Sequence, residues 1–279
     1  MMNKRLWGFA AGAALAALAA VPASADRQWM MPSSTVVSGD DVWVTVDAAV
    51  SNDLFYFEHQ PMRLDAMKAW APDGTEAAIE NKSTGRYRST FDVHLTQKGT
   101  WRIASVADML MGSYDLNGKT ERLPRGTTTA NLAERVPAGA TNVKTAEANN
   151  RNEIFVSVGE PTTTLFKPTG KGIELAPVTH PNDLFSGEAA TFQFLLDGKP
   201  AAGLPVTVIP GGIRYRDQLG QMDLKTDAEG KVEVTWPEPG MYWLNVTTPQ
   251  VEREAGEGGA PPPLARRASY VTTLEVLAP

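Results

Sequence analysis

The sequence predicts an all-β protein made of two β-sandwich domains, with a short helical excursion in the first. Three observations carry this expectation. Short segments alternate apolar and polar residues with a period of two, as strands with one buried face do. Clusters of Gly, Pro, Asn and Asp separate these segments at roughly 8–12 residue intervals, the spacing of sandwich turns. The stretch from Gly198 to Val246 then sets out a Gly-Lys-Pro turn, a short apolar strand, Thr226-Asp227-Ala228-Glu229 closed by Gly230, and Pro239-Gly240-Met241-Tyr242 leading into another strand.

The ends and the charge bound the functional class. Lys4 and Arg5, the apolar run Leu6 to Val21 and Ala23-Ser24-Ala25 read as a secretory signal peptide over residues 1–25, so the mature chain is expected to start at Asp26 in the periplasm. No Cys stands at the cleavage point, which excludes a lipoprotein anchor. No other segment approaches the roughly 20 apolar residues of a membrane span. The 279 residues include no Cys, so stability in an oxidising compartment has to come from burial. With 26 Lys and Arg against 32 Asp and Glu the net charge is −6, and removing Lys4 and Arg5 makes it more negative. That balance argues against nucleic acid and anionic membrane surfaces as partners.

The first domain is expected over residues 26–159. A strand enters at Trp29, and Ser38 to Asp41 turns into Val42-Trp43-Val44-Thr45-Val46, whose valines share a face. Leu64 to Trp70 ends at Ala71-Pro72-Asp73-Gly74, where Pro and Gly supply the turn angles. Arg86 to Leu95 places Tyr87, Phe91, Val93 and Leu95 on one side, and Lys98-Gly99-Thr100 leads into Trp101 to Val106. Alternation fails from Gly112 to Arg151, which reads as an insertion with short helices at Asn131–Arg135 and Asn142–Asn149. Glu153 to Val158 resumes as a strand returning to the first sheet, and Gly159-Glu160-Pro161 marks the boundary.

The second domain, 160–279, is expected to place strands at 172–177, 188–196, 205–209, 221–226, 231–236, 241–247 and 269–276. Ala190, Phe192, Phe194 and Leu196 share one face. Gln250 to Arg267, with Gly256, Gly258, Gly259 and prolines 261 to 263, reads as a long exposed loop of polyproline character.

Trp29, Pro32 and Ser33, the phrase Leu54-Phe55-Tyr56-Phe57-Glu58-His59-Gln60-Pro61, the strand Phe155 to Gly159, and the Thr-Asp-x-x-Gly and Pro-Gly-x-Tyr elements together carry a family resemblance. The mature chain resembles an exported domain-of-unknown-function family labelled as the periplasmic substrate-specific component of nickel or cobalt uptake. Its second half resembles transthyretin-like and carboxypeptidase-regulatory-like modules, and both halves the broader immunoglobulin-like sandwiches. The resemblance implies metal or metal-chelate acquisition beside an outer-membrane receptor or an inner-membrane permease or reductase. Many members start their mature chain with a His near the Trp; here the stretch is Asp26-Arg27-Gln28-Trp29.

The residues themselves argue against an enzyme: there is no Cys, no Gly-x-Ser-x-Gly elbow, no phosphate-cradling Gly loop and no zinc-protease signature. The strongest local grouping is Glu58, His59, Met62 and Asp65 after three aromatics, since imidazole with carboxylate suits nickel, cobalt or iron and imidazole with thioether suits copper. The alternative makes His59 a packed, hydrogen-bonded loop residue and Glu58 a solvated charge. His94 reads as an exposed strand residue, and His180 before Pro181 as either a ligand or a turn residue. Met109 and Met111 offer two thioethers on one side of an extended segment for a copper alternative, against service as core filler. Arg214, Tyr215 and Arg216 can clasp an anionic ligand or form a solvated hairpin with Asp217, and Arg122, Arg125 and Arg135 invite the same pair of readings.

The expected function is thus a non-enzymatic periplasmic binding or accessory protein for uptake of a transition metal or metal chelate. An interaction scaffold that engages a receptor or redox partner without metal is the alternative, and a copper-handling protein the third reading.

Overall fold

The computed structural model describes residues 27–249 and 265–279; the expected signal peptide with Asp26, and the Gly- and Pro-rich part of the 250–267 loop, lie outside them. The chain is all-β, and its described strands form three sheets of five, ten and four strands. The ten-stranded sheet belongs to both halves. Its centre is the strand Thr141–Val158, which pairs antiparallel with Gly99–Leu116 and parallel with Arg267–Val276 near the C-terminal end of the chain.

Period-two alternation explains how one strand serves two cores. Ile154, Val156 and Val158 point into the first core with Trp101, Ile103, Val44, Val46, Phe91 and Val93. Phe155 points the other way, into the second core with Phe192, Phe194, Trp236, Tyr242, Leu244 and Tyr270. The five-stranded sheet, built on Val42–Ser51 and Ser89–Leu95, therefore covers one face of the shared sheet, and the four-stranded sheet around Ala189–Leu196 covers the opposite face further along. Both faces of residues 151–158 are buried.

The amino-terminal strand Arg27–Pro32 joins the halves a second time. Met30 enters the first core while Trp29, also fully buried, enters a third cluster with Ala49, Leu54, Ile209, Trp243 and Val271 from both halves. Indole hydrogen bonds anchor this seam: Trp29 Nε1 donates to Ser51 Oγ at 2.7 Å and Trp243 Nε1 to the Gln28 carbonyl at 2.9 Å.

All the strands expected in the second half are present, and the turn signals act as their chemistry implies. Asp227 Oδ1 accepts the N–H groups of Glu229 and Lys231, while buried Thr226 receives the Leu204 N–H and donates to the Ala201 carbonyl. At Gly230, φ is +74° and an added Cβ would lie 2.5 Å from the Phe194 carbonyl oxygen, so only glycine fits. Tyr242 donates its hydroxyl to the Glu238 carbonyl at 2.7 Å, locking the Pro-Gly-x-Tyr corner.

The insertion expected at 112–151 is corrected in part. A helix forms at Leu132–Arg135, but Asn142–Asn149 is strand, continuous with 150–158. Residues 106–116 and 141–148 form a two-stranded arm, with Lys119–Arg122 folded back on it. Most of the arm beyond residue 111 is exposed or only half-buried, so no core imposes the alternation by which a strand is recognised. Close backbone approach fixes one position: a Cβ on Gly112 would sit 1.9 Å from the Lys144 carbonyl oxygen. Tyr87, expected on the core face, lies before the Ser89–Leu95 strand and is 43% exposed.

Because one strand feeds both cores, the chain should unfold as a single unit. Ile154→Ala and Phe155→Ala, one aimed into each core, should each cost about 2–5 kcal/mol and lower the same calorimetric transition. Two transitions, each sensitive to only one substitution, would contradict this.

Candidate functional site

The offset of the two covering sheets leaves an uncovered step on the shared sheet. A cleft of about 370 Å³ lies there, between the outer face of the first half and the segment 169–173 that leads into the second. Register defines its floor. Trp70 pairs with Arg102, Lys68 with Ala104, and Ala104 in turn with Glu153; Val106 faces Arg151 and Asp108 faces Asn149. Ala104 is the small residue at the middle of this grid, and the large side chains around it become walls.

The walls are largely apolar, with the cations Lys68, Arg102, Arg151 and Lys171 and the polar side chains of Asp108, Asn149 and Thr169 among them. The Arg102 guanidinium lies 4.6 Å from the Trp70 ring centroid, donates from Nη1 to the Leu165 carbonyl at 3.1 Å, and has a buried Nε without a hydrogen-bond partner among the described residues. Among those residues no carboxylate lies within ion-pair distance of Arg102, whereas Lys68 pairs with Glu76 and Lys171 with Asp108 at 2.8 Å. Lys171 is raised above its ordinary pKa by the Asp108 hydrogen bond and charge. Gly172 brings the 169–173 wall close: its φ is +68°, and a Cβ would meet Asn149 at 3.2 Å.

Behind the cleft Arg151 is sandwiched between Glu153 at 3.4 Å and Glu174 at 3.3 Å, all three buried. Burial pushes the Glu174 carboxyl up, but hydrogen bonds from Thr169 and Gly170 and the Arg151 charge together outweigh it and hold it below its usual range. Arg151 is thus compensated within the protein. On the arm side, a second cleft of about 190 Å³ shares Asp108, Asn149 and Lys171 with the first and reaches Met109.

The residues singled out from sequence do not converge on this place. Glu58 Oε1 accepts the backbone N–H groups of Asn52 and Asp53 at 2.9 and 2.8 Å, holding its own loop. His59 beside it is exposed, while Met62 is buried in the first core with the Asn152 amide 3.8 Å from its sulfur. Met109 and Met111 are half-buried on one face of the arm. Among the described residues no group of three His, Cys, Asp or Glu side chains is placed to hold a metal ion.

His180 is a joint between the halves. Its Nδ1 accepts the Asn182 N–H at 3.0 Å, which assigns the proton to Nε2, and Nε2 lies 3.1 Å from the Thr162 carbonyl and 3.0 Å from Thr100 Oγ1. Burial lowers its pKa against the weaker pull of Thr162 and Asp183. His94 stacks on Trp43 at 4.3 Å with Asp41 at 2.6 Å.

The arginine excursion does meet the aromatic loop. Arg214 lies 3.8 Å above the Tyr56 ring, and Arg216 donates to the Pro210 carbonyl at 2.8 Å, bracing its own turn. Tyr215 is exposed, as are Arg122, Arg125 and Arg135. Trp70, Arg102, Ala104 and Lys171 were not singled out from sequence. Their available signal was a large aromatic, Trp70, out of phase with the core residues Met67 and Ala69 of its own strand.

The sequence profile of the family described as Domain of unknown function (DUF4198) matches residues 23–250. The chain belongs to this family. The DUF4198 match takes in the first core and most of the second core and of the cleft lining, and stops before the strand Arg267–Val276, which gives Ala268, Tyr270, Leu274 and Val276 to the second core and Ser269 to the cleft. No curated protein matches the chain. Among solved structures, the D0-D1 domain of intimin is similar at 12% identity and a TM-score of 0.22, over 89% of this chain and 97% of that one. The human OSCAR ligand-binding domain is similar at 12% identity and a TM-score of 0.20, over 89% and 97%. A DUF4785 family protein from Legionella pneumophila is similar at 7% identity and a TM-score of 0.21, over 78% and 50%. At these TM-scores the likenesses carry no argument about function.

The His180 geometry sets a pH dependence. Its folded pKa lies below the ordinary 6.5, so the unfolded chain takes up the proton first as pH falls, and the stability it contributes above that value is lost on acidification. His180→Gln should be less stable than the unaltered protein at pH 7.5, by about 1 kcal/mol for lost hydrogen bonds, and should lose less stability between pH 7.5 and 5. Urea unfolding at the two pH values measures this; equal losses in both proteins would remove His180 from the account.

Proposed function

We propose that this DUF4198 protein is a non-enzymatic, exported binding protein that takes a transition metal as an anionic chelate into the cleft over Ala104. The observation that carries this reading is Arg102: a cation without a carboxylate partner among the described residues, on an apolar wall of a cleft large enough for a small molecule. In a chain of net charge −6 such a local positive site favours an anion over a bare metal cation. The resemblance to nickel and cobalt uptake components supplies the metal, and the expected signal peptide supplies the periplasmic setting. Lys171 would contribute a second positive charge, exchanging Asp108 for the ligand.

A second reading, a docking scaffold for a membrane receptor, is favoured by the seam. There Tyr215, 84% exposed, stands beside the Arg214–Tyr56 stack, and Tyr and Arg are the residue types that dominate binding energy in protein interfaces.

Calorimetric titration of the mature protein with nickel(II) citrate and with nickel chloride tests the leading reading. The citrate chelate should bind more tightly than the chloride, and Arg102→Gln should weaken it about tenfold, the loss expected for one charge-assisted contact. Ala104→Leu should abolish binding by filling the floor, with circular dichroism as the folding control, while His59→Ala should leave affinity unchanged. No heat with the chelate, or affinity indifferent to Arg102 and Ala104, would sink it.

A further inference from the structure

We infer that the cleft is shaped for a planar aromatic ring carrying an anionic oxygen, seated against the Trp70–Arg102 pair; this rests on the cleft being the ligand site. The two residues are direct cross-strand partners, and the indole lies under the guanidinium at 4.6 Å. That stack holds the guanidinium as a rigid planar surface, which is weakly hydrated and accepts aromatic rings on its face as well as carboxylates on its edge. The Leu165 carbonyl takes Nη1 and fixes its orientation.

Beside Trp70 the apolar part of the lining is Ala66, Ala104, Val106 and Ile173, and Lys68 stands two residues from Trp70 on the same face of its strand. Ala66 and Ala104 present only a methyl group, so they leave room for a flat ring among the longer polar residues of the lining. An aromatic body can be buried against those apolar side chains without a hydrogen-bond partner, whereas a hydroxyl placed there would have to be desolvated. The charge for the anionic oxygen comes from Arg102; Lys171 also lines the cleft, paired with Asp108. A cleft of about 370 Å³ stands at the small end of ligand pockets, enough for one or two fused rings and their substituents.

The test compares two monoanions of matched size, benzoate and cyclohexanecarboxylate, by NMR titration of the full mature chain, following the indole N–H resonance of Trp70. Benzoate should bind about fivefold more tightly, the scale of one aromatic contact, and should shift that resonance. Trp70→Leu should bring the two affinities together, Trp70→Phe should keep most of the preference, and Arg102→Gln should weaken both ligands. Equal affinities in the unaltered protein, or a preference that survives Trp70→Leu, overturn the aromatic assignment. Nickel citrate in parallel separates the two ideas. If it binds while benzoate does not, the ring assignment falls and the cleft stands; if none of the three binds, both fall.

Discussion

The structure depends on one strand being buried on both faces. Residues 151–158 give Ile154, Val156 and Val158 to one core and Phe155 to the other, so neither sandwich can form without the segment that completes its neighbour. A strand in that position cannot show simple alternation, because every residue has to suit protein and none faces water. The run Ile-Phe-Val-Ser-Val fits this demand, and its single polar member is satisfied: Ser157 donates to Asn182 at 2.8 Å and lies 2.9 Å from Thr100 Oγ1. The parallel pairing with Arg267–Val276 draws the far end of the chain onto the same strand, at a loop-closure cost that rises only slowly with length.

The cleft follows from that arrangement. Two sheets cover opposite faces of one shared sheet, and where the second cover begins the first half's outer face lies bare beside it. Most residues there are long and polar, which would flatten the step, but Ala104 at the centre of the grid cannot. A depression therefore exists because of which residue is small, and its character because of which are large: Trp70 lies beneath the Arg102 guanidinium, and Gly172 lets the opposing wall come near Asn149.

The second half was legible because its turns are closed by local hydrogen bonds. The turns at Asp227–Lys231 and Glu238–Tyr242 close through hydrogen bonds within four residues, so composition alone reveals them, while Thr226 and Gly230 fit those turns to Ala201, Leu204 and Phe194 further back in the chain. The arm at 106–148 was not, since its strands are stabilised by each other and not by a core that would imprint a period. The cleft was less legible still. Its residues are adjacent only through register: Trp70 meets Arg102, and Asp108 meets Asn149, across sequence separations that no spacing rule spans. Chemistry-bearing residue types drew attention to Glu58, His59 and His180, and the fold employs Glu58 and His180 in holding its own loops.

That outcome bears on how charged groups in this protein should be weighed. Arg151, Glu153 and Glu174 form the most buried ionic group described, and a buried charge is often taken as a mark of function. Here every member faces another, and the second carboxylate is further stabilised by Thr169 and Gly170, so little attraction remains to offer a ligand. The cluster's role is to fasten the 169–174 segment to the shared strand, where loss of one partner would leave an uncompensated charge inside the protein. Arg102, two residues along the sheet from it, has the opposite status: it is held by a ring and a carbonyl, and among the described residues no carboxylate lies within ion-pair distance of it, although Glu153 and Glu174 line a crevice with it. It is the cation without a carboxylate partner among the described residues, and not the most buried one, that has interaction energy left for an anion.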